Sequence, residues 1–447
     1  MTGRRGLPWV AAALRRAGRR GLFGRGADVA RPALLATQWY PEGLLIDLQW
    51  RAVVDLVAYA RESSPFYRQR LGPVNGASAL TRDVFTHVPR LTRQDVTSCR
   101  EAIRVGTAAG SAMSRRSGGS SGRSVSIPID SATYSWYLAG TWRGLRHWGS
   151  DLTDRGAVLL GPARGGVWGL AAKGKDWAMN WLRLAVDSQF ERCAPDVLAR
   201  LAAFSPTFIY AFPSAMDHLA CLAKALGWRP RAQVKVIVLT GEPVYAFQRR
   251  RISEAFQCPV AEEYGSGELG SMAFECPDGS LHVTTENVFL ETVTAGPPDA
   301  PGGLVLATQL HNRLFPLIRY ETGDVGVLEG AGCRCGRGLP TIRVLGRHSV
   351  GPTNGAGAAP TWLQVNQLLG MLPEPLQGHV QVFHAAPRSL VLRVERGSAG
   401  REALADTAAV GAVAFDDGWR LETVEAERLL RLPSGKLPFL LDGRTTP

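Results

Sequence analysis

Lysine is nearly missing from this chain: among 51 basic residues in 447, only Lys173, Lys175, Lys224, Lys235 and Lys436 are lysines. Arginine fills the other basic positions, so the formal charge of +12 reflects a compositional bias more than a surface built to select a polyanion. Long apolar runs are lacking as well. Residues 7–14 are apolar but too short to span a bilayer, and arginines rather than a small-residue cleavage pattern follow them. That argues against a transmembrane helix and against a secretory signal. The seven cysteines are an odd number in a long chain, which excludes a small secreted disulfide framework and points to a cytoplasmic protein. Residues 1–31 hold eight arginines and one acid, Asp28. A solvated or loosely docked helix fits that stretch, and so does a surface that touches anionic lipid or a partner.

What is present is the composition of a folded enzyme of two or three domains, 45% hydrophobic and 20% charged. Over residues 38–71 apolar side chains recur at helical spacing (Leu44, Leu45, Leu48, Val53, Val54, Leu56, Val57) until Ser63, Ser64 and Pro65 break the pattern. Strand-like runs at 157–160, 208–211 and 234–239 then alternate with helical runs at 198–204 and 216–226. The alternation predicts an α/β fold with a mainly parallel sheet flanked by helices. Residues 281–329 predict a smaller β-rich subdomain of short strands. After a glycine- and proline-rich stretch at 351–360, strands near 380–383 and 390–394 predict a small α+β C-terminal domain behind a hinge. The boundaries are 1–110 for the helical N-terminal segment, 111–346 for the core with its β-rich subdomain, and 347–447 for the small domain.

Several short segments carry chemistry. Ser117, Gly118, Gly119, Ser120, Ser121, Gly122 and Arg123 form a glycine–serine stretch whose amides, hydroxyls and cation suit a polyphosphate, although a linker has the same composition. Gly241, Glu242 and Pro243 follow the 234–239 strand, at the carboxyl end where open α/β sheets bind ligands. Tyr264, Gly265 and Glu268 supply an aromatic ring for a base and a carboxylate for magnesium. Asp324, read as lying at a turn, suits the two hydroxyls of a ribose. Arg347 precedes the hinge, and Lys436 stands in a Ser-Gly-Lys turn near the C-terminus, where by itself it reads as a surface lysine.

Taken in order, these segments resemble the acyl-adenylate-forming superfamily, and within it the phenylacetate–CoA ligase-like branch that includes capsule-biosynthesis relatives. The resemblance runs from Ser63-Ser64-Pro65-Phe66-Tyr67 to Lys436. It implies a large adenylate-forming domain with a mobile C-terminal lid, and the ATP- and Mg2+-dependent conversion of a small, aromatic carboxylic acid to its acyl-AMP with release of pyrophosphate. Residues 117–123 would hold the phosphates, with Arg123 where relatives usually have lysine. Gly241, Glu242, Pro243, Tyr264 and Gly265 would flank adenine, Glu268 would hold the metal, Asp324 and Arg347 the ribose or phosphate, and Lys436 would bridge carboxylate and nucleotide. The acyl slot would come from Gly165, Gly166 and Trp168 with Phe212 and Pro213, although Trp168 also reads as plain core.

Cys276, His282, Cys333 and Cys335 offer four soft or borderline ligands, enough to close a tetrahedral Zn2+ site without an open position. The resemblance implies a structural zinc there; the alternative is three free thiols and a histidine. Cys99, Cys193, Cys221 and Cys258 read as buried small hydrophobes. The segment His348-Ser349-Val350-Gly351-Pro352 departs from the family, whose hinge normally continues into the coenzyme A tunnel. Coenzyme A is the first acceptor expected, with an amine or a carrier-protein thiol as alternatives, and a homodimer stays open. Two other classes compete: a nucleotide-binding relative without turnover, and a zinc-knuckle nucleic-acid binder. Glu268 and Lys436 speak against the first. Only Arg334 and Arg337 flank Cys333 and Cys335, without aromatic interleaving, so no specific nucleic acid is expected.

Overall fold

A computed structural model of the chain describes residues 30–71, 80–106, 113–116, 125–162, 166–294 and 302–347. After residue 364 it describes 365, 368–369, 371–373, 376, 380–386, 388–396, 407, 411, 419–432, 434–437 and 440–442. The arginine-rich residues 1–29 and the hinge stretch 348–364 lie outside the described residues. None of the described helices is long and apolar enough to cross a membrane.

The predicted helical start is a 22-residue helix, Glu42–Ser63, that buries Leu45, Val53, Leu56, Val57 and Ala60 along one stripe. Leu44 and Leu48 face outward instead. Ser64 ends this helix and caps the next, Pro65–Arg70: its hydroxyl accepts from the Tyr67 amide, and Pro65 fills a first-turn position that needs no amide donor. The Tyr67 hydroxyl, fully buried, donates to the Pro316 carbonyl at 2.8 Å and so ties this segment to the sheet edge 249 residues away.

One 11-stranded sheet forms the body. Its parallel half comprises β3 (Gly156–Leu159), β4 (Trp181–Arg183), β5 (Phe208–Ala211), β6 (Val236–Thr240) and β7 (Val260–Ser266) in the order β4-β3-β5-β6-β7. β6 is buried along its whole length, as a strand covered by helices on both faces must be. Its Ile237 and Leu239 pack with helices Phe190–Phe204 and Pro213–Ala225, while Val236 and Val238 pack with helix Ser131–His147. Full burial of each such side chain stabilises the fold by about 1.5–3 kcal/mol.

The expected β-rich subdomain is the antiparallel half of this same sheet. β7 turns into β8 (Gly270–Glu275), and the ladder continues through β9 (Leu281–Val283), β13 (Thr341–Arg347), β12 (Tyr320–Glu329), β11 (Gly303–Gln309) and β10 (Val288–Val293). β9 and β13 meet only at Thr341 and His282. A separate antiparallel pair, β1 (Met113–Arg116) with β2 (Ser126–Ile129), flanks the glycine–serine segment.

The C-terminal part has its own four-stranded sheet of β14 (Val380–Ala386), β15 (Ser389–Glu395), β16 (Arg420–Ala426) and β17 (Leu440–Asp442), in the order β16-β15-β14-β17. Its apolar core, with Val380, Val382, Leu390 and Leu392 at 0% exposure, closes against Tyr245 and Phe247 of the large sheet's helical layer. Gln381, fully buried, holds both the amide and the carbonyl of Leu430 through its side-chain amide. That bond fixes where the segment carrying Lys436 leaves the small sheet.

Candidate active site

The site forms where the parallel strands end. Directly after β6, Gly241 adopts φ +80, a left-handed conformation that glycine enters without steric cost. Lys436 Cε lies 3.3 Å from where a Cβ on Gly241 would sit, and Lys436 Nζ is 5.8 Å from the centroid of the Phe212 ring. The lysine's turn is clamped to the large domain. The Glu242 carboxylate accepts from the Leu437 amide at 2.7 Å, and from the Ser214 amide and hydroxyl at 3.0 and 3.1 Å. Arg431 pairs with Glu191 at 2.6 Å and donates to the Ser214 hydroxyl and the Gly435 carbonyl. Burial pushes the Lys436 ammonium below the ordinary lysine range, and Arg347 adds to this, while Glu242, Asp324 and Glu268 oppose it. One cation thus feels all three carboxylates singled out in the sequence.

On the other wall, the Tyr264 hydroxyl donates to Asp324 at 2.9 Å, and Arg347 Nε pairs with Asp324 at 3.1 Å. Burial, with the Asp324 charge behind it, keeps the Tyr264 phenol protonated. Asp324 does not lie at a turn, as the sequence suggested. It sits inside β12, opposite Arg347 of β13, and on the β11 side it falls in a register irregularity between Glu321 and Val325 that contains Gly323 at φ +78. A ladder position holds its carboxylate more firmly than a free turn does. Glu268 follows β7 in the connection to β8. It is 4% exposed, its carbonyl accepts from the Tyr137 hydroxyl at 2.7 Å, and its Oε2 is buried without a hydrogen-bond partner among the described residues. A buried carboxylate oxygen without a partner among the described residues fits a hard, oxygen-seeking divalent cation.

Ser117, Gly118, Gly119, Ser120, Ser121, Gly122 and Arg123 lie outside the described residues. Their stem does not: Arg115 on β1 reaches the Gly267 carbonyl at 3.4 Å, beside Glu268. Gly165 is also outside the described residues. Gly166 opens helix Gly166–Met179, whose backbone includes Trp168, so the expected slot segment is helical from that point on. Pro213 stands in the first turn of helix Pro213–Ala225 and Phe212 at its N-cap, which places the Phe212 ring against Gly241 and Lys436. Gly265 pairs with Ser271 in the β7–β8 ladder.

Sequence reading missed Arg431 and Glu191, which clamp the Lys436 turn. Nothing marks Arg431 in a chain so rich in arginine.

Cys276, His282, Cys333 and Cys335 do come together, with all ligand atoms within 4.8 Å of one another. Cys276 Sγ and Cys333 Sγ are 3.6 Å apart, and Cys335 Sγ is 3.2 Å from His282 Nε2. Thiolates about 2.3 Å from a tetrahedral zinc stand roughly 3.8 Å apart, so the cluster has the size of a Zn2+ site. His282 Nδ1 lies 3.2 Å from the Leu339 carbonyl; a proton there leaves Nε2 free to face the thiols, the tautomer that a metal needs. Of the other four cysteines only Cys258 is buried. Cys99 and Cys221 are half-buried, and Cys193 is exposed on the solvent face of its helix, which corrects the expectation for that residue.

The tight turn before Lys436 gives a direct test of this arrangement. Gly435 has φ +85, and a Cβ there would lie 2.1 Å from the Val186 carbonyl oxygen. Gly435→Ala is therefore expected to lift Lys436 off Gly241 and slow turnover by about tenfold or more, with little change in melting temperature. Unchanged turnover in that variant would mean that the turn need not dock.

No family model matches the chain. Its sequence is 29% identical over 191 residues to a phenylacetate–coenzyme A ligase of Thermus thermophilus, covering 40% of this chain and 42% of that protein; the match spans less than half of the relative. Solved structures of 2-hydroxyisobutyryl-CoA ligase with 2-HIB-AMP in the postadenylation state superpose with a TM-score of 0.72 over 91% of each chain at 18% identity. The same ligase in an open conformation with 2-HIB-AMP and CoA gives 0.61 over 91% of this chain and 93% of that one, also at 18% identity. An anthranilate CoA ligase in complex with anthranoyl-AMP gives 0.51 at 16% identity, covering 72% of this chain and 65% of that one. The chain has the fold of the acyl-adenylate-forming ligases, and part of its sequence is similar to a phenylacetate–CoA ligase.

Proposed function

We propose that this protein activates a small carboxylic acid with ATP, forming an acyl-AMP and pyrophosphate, and then passes the acyl group to the thiol of coenzyme A. The observation that carries the reading is the docking of Lys436, from the small C-terminal sheet, onto Gly241 and within the field of Glu242, Asp324 and Glu268. A carboxylate oxygen that attacks the α-phosphate builds negative charge on the transferring group, and a desolvated, preplaced ammonium stabilises that charge without reorganisation. Asp324 would take the ribose hydroxyls, oriented by Arg347 and Tyr264. Glu268 would hold magnesium, which when bound offsets the charge of the phosphates.

The acyl-AMP and CoA carried by the solved structures, and the coenzyme A ligase activity in the name of the curated relative, support this reaction class. The four-ligand cluster would hold a structural zinc. Seven cysteines outside any disulfide suit a reducing compartment such as the cytoplasm. The test is exchange of labelled pyrophosphate into ATP over a panel of aromatic and aliphatic acids, followed by mass analysis with coenzyme A, an amine or a carrier protein as acceptor. Exchange that needs one acid and magnesium supports the proposal. Exchange with no acid in the panel, or without dependence on acid, contradicts it.

A further inference from the structure

Beneath the Lys436 contact lies a polar cluster that neither ATP binding nor the transfer chemistry uses. Tyr210 of β5, Thr240 of β6 and Glu263 of β7 project from three adjacent parallel strands toward helix Ser131–His147. They share the face on which Phe208, Val236, Val238 and Ala261 form the core. Thr240 donates to Glu263 at 2.8 Å, Thr141 on the helix approaches the other carboxylate oxygen at 3.5 Å, and the Tyr210 hydroxyl is also bonded to Glu263. Burial, and then the Glu263 charge itself, keep the Tyr210 phenol protonated, so it donates.

Glu263 is 8% exposed, and among the described residues no cation lies within ion-pair distance of it. Hydroxyls satisfy its lone pairs, and none of its described partners compensates its charge. A buried carboxylate in that state is costly, and proteins ordinarily pair one with a cation. Val236, Val238 and Ala261 on the same face are 0% exposed, whereas Tyr210 is half-buried and Thr240 is the last residue of β6, so the cluster lies toward the carboxyl ends of the strands. Its position is set by the ladder. Thr240 adjoins Gly241, about 3.8 Å away by Cα, and Glu263 pairs with Thr240 across roughly 4.8 Å. An acid whose carboxylate meets Lys436 would extend its other end over these residues.

We infer that the acid activated here carries an amino group, and that Glu263 receives it while Tyr210 and Thr240 hold the carboxylate in place. The inference rests on the acyl-adenylate reading and assigns the substrate class of that site. An ammonium or arylamine N–H supplies the missing partner. An acid without a donor leaves Glu263 buried and uncompensated, so rejection of the amine-free parent is the expected behaviour of the site.

Pyrophosphate exchange measured on matched pairs of amino acid and amine-free parent, with α-, ortho-, meta- and para-amino members, tests this. The expected result for the wild type is a preference in kcat/KM of about 100-fold for one amino compound over its parent. In Glu263→Leu the ratio falls to one or inverts, while the melting temperature falls modestly because the hydroxyls of Thr240, Thr141 and Tyr210 lose their acceptor. Equal rates within every pair in the wild type, or an unchanged ratio in Glu263→Leu, would overturn the inference. Should Glu263→Leu not fold, the isosteric Glu263→Gln carries the same comparison. If no acid supports exchange, the ligase reading fails, and calorimetry with AMP and each amino compound decides the Glu263 claim. Binding by the wild type that weakens at least tenfold in Glu263→Gln supports it; no binding, or equal binding, overturns it.

Discussion

Lys436→Ala slows acid-dependent pyrophosphate exchange by about 100- to 1,000-fold, the usual cost of removing one preplaced donor from a transferring group. The side chain reaches Gly241 from a turn held at both ends: Arg431 grips Glu191 and Ser214 before it, and the Leu437 amide grips Glu242 after it. Alanine leaves those anchors in place, so the fold and the docking persist and only the ammonium is lost. Thioester formation from acyl-AMP supplied from outside should fall much less, because in that step the thiol attacks the acyl carbon, AMP leaves with the bridging oxygen, and no nucleophile adds to the α-phosphorus. Burial depresses the Lys436 ammonium, and the charged form is the active one, so exchange should decline with rising pH earlier than an exposed lysine would allow. Exchange at the wild-type rate in Lys436→Ala would remove this lysine from the chemistry.

The second large effect concerns the cluster of Cys276, His282, Cys333 and Cys335, proposed to hold zinc. Cys335→Ser is expected to reduce zinc from about one ion per chain to near zero and to lower the unfolding midpoint by roughly 5–10 °C. The reason lies in what the cluster fastens. Cys276 and His282 lie at the two ends of the β8–β9 hairpin connection, while Cys333 and Cys335 open the loop that leads into β13. β9 and β13 share a single residue pair, so few backbone bonds hold them together without the metal. The same loop grips the N-terminal segment: the Gly338 amide donates to the Gln38 carbonyl, Arg337 to the Gln38 side chain, and the Ala331 amide to Glu42. Losing the ion should loosen residues 38–42 along with the loop, which hydrogen exchange would report. Protein purified without chelator that holds no zinc by elemental analysis would contradict the site.

Local pattern carried the elements well and their partnerships poorly. Strand β5 matches its apolar run residue for residue, and Ser64-Pro65 breaks the first helix where serine capping and proline geometry require. The joining of the β-rich part to the parallel sheet was not legible. It depends on pairings such as Thr341 with His282, 59 positions apart, and strand propensity is silent on partners. Asp324, Glu268, Tyr264 and Lys436 were legible because each stands in a short motif whose order is informative. Arg431 and Glu191 were not, since a clamp between two distant surfaces leaves no local signature. Glu263 was overlooked because an acid in a strand, here beside Glu262, is ordinary until its described neighbours turn out to be hydroxyls and no cation.

The most direct test of acyl-adenylate formation is to follow the carboxylate oxygen itself. An acid labelled with oxygen-18 in its carboxyl group, turned over to product with ATP and coenzyme A, should yield AMP that carries one labelled oxygen, because the bridging atom of the acyl-AMP stays on phosphorus when the thiol takes the acyl group. Label recovered in inorganic phosphate, with ADP as the nucleotide product, or AMP without label, would contradict attack of the carboxylate on the α-phosphate.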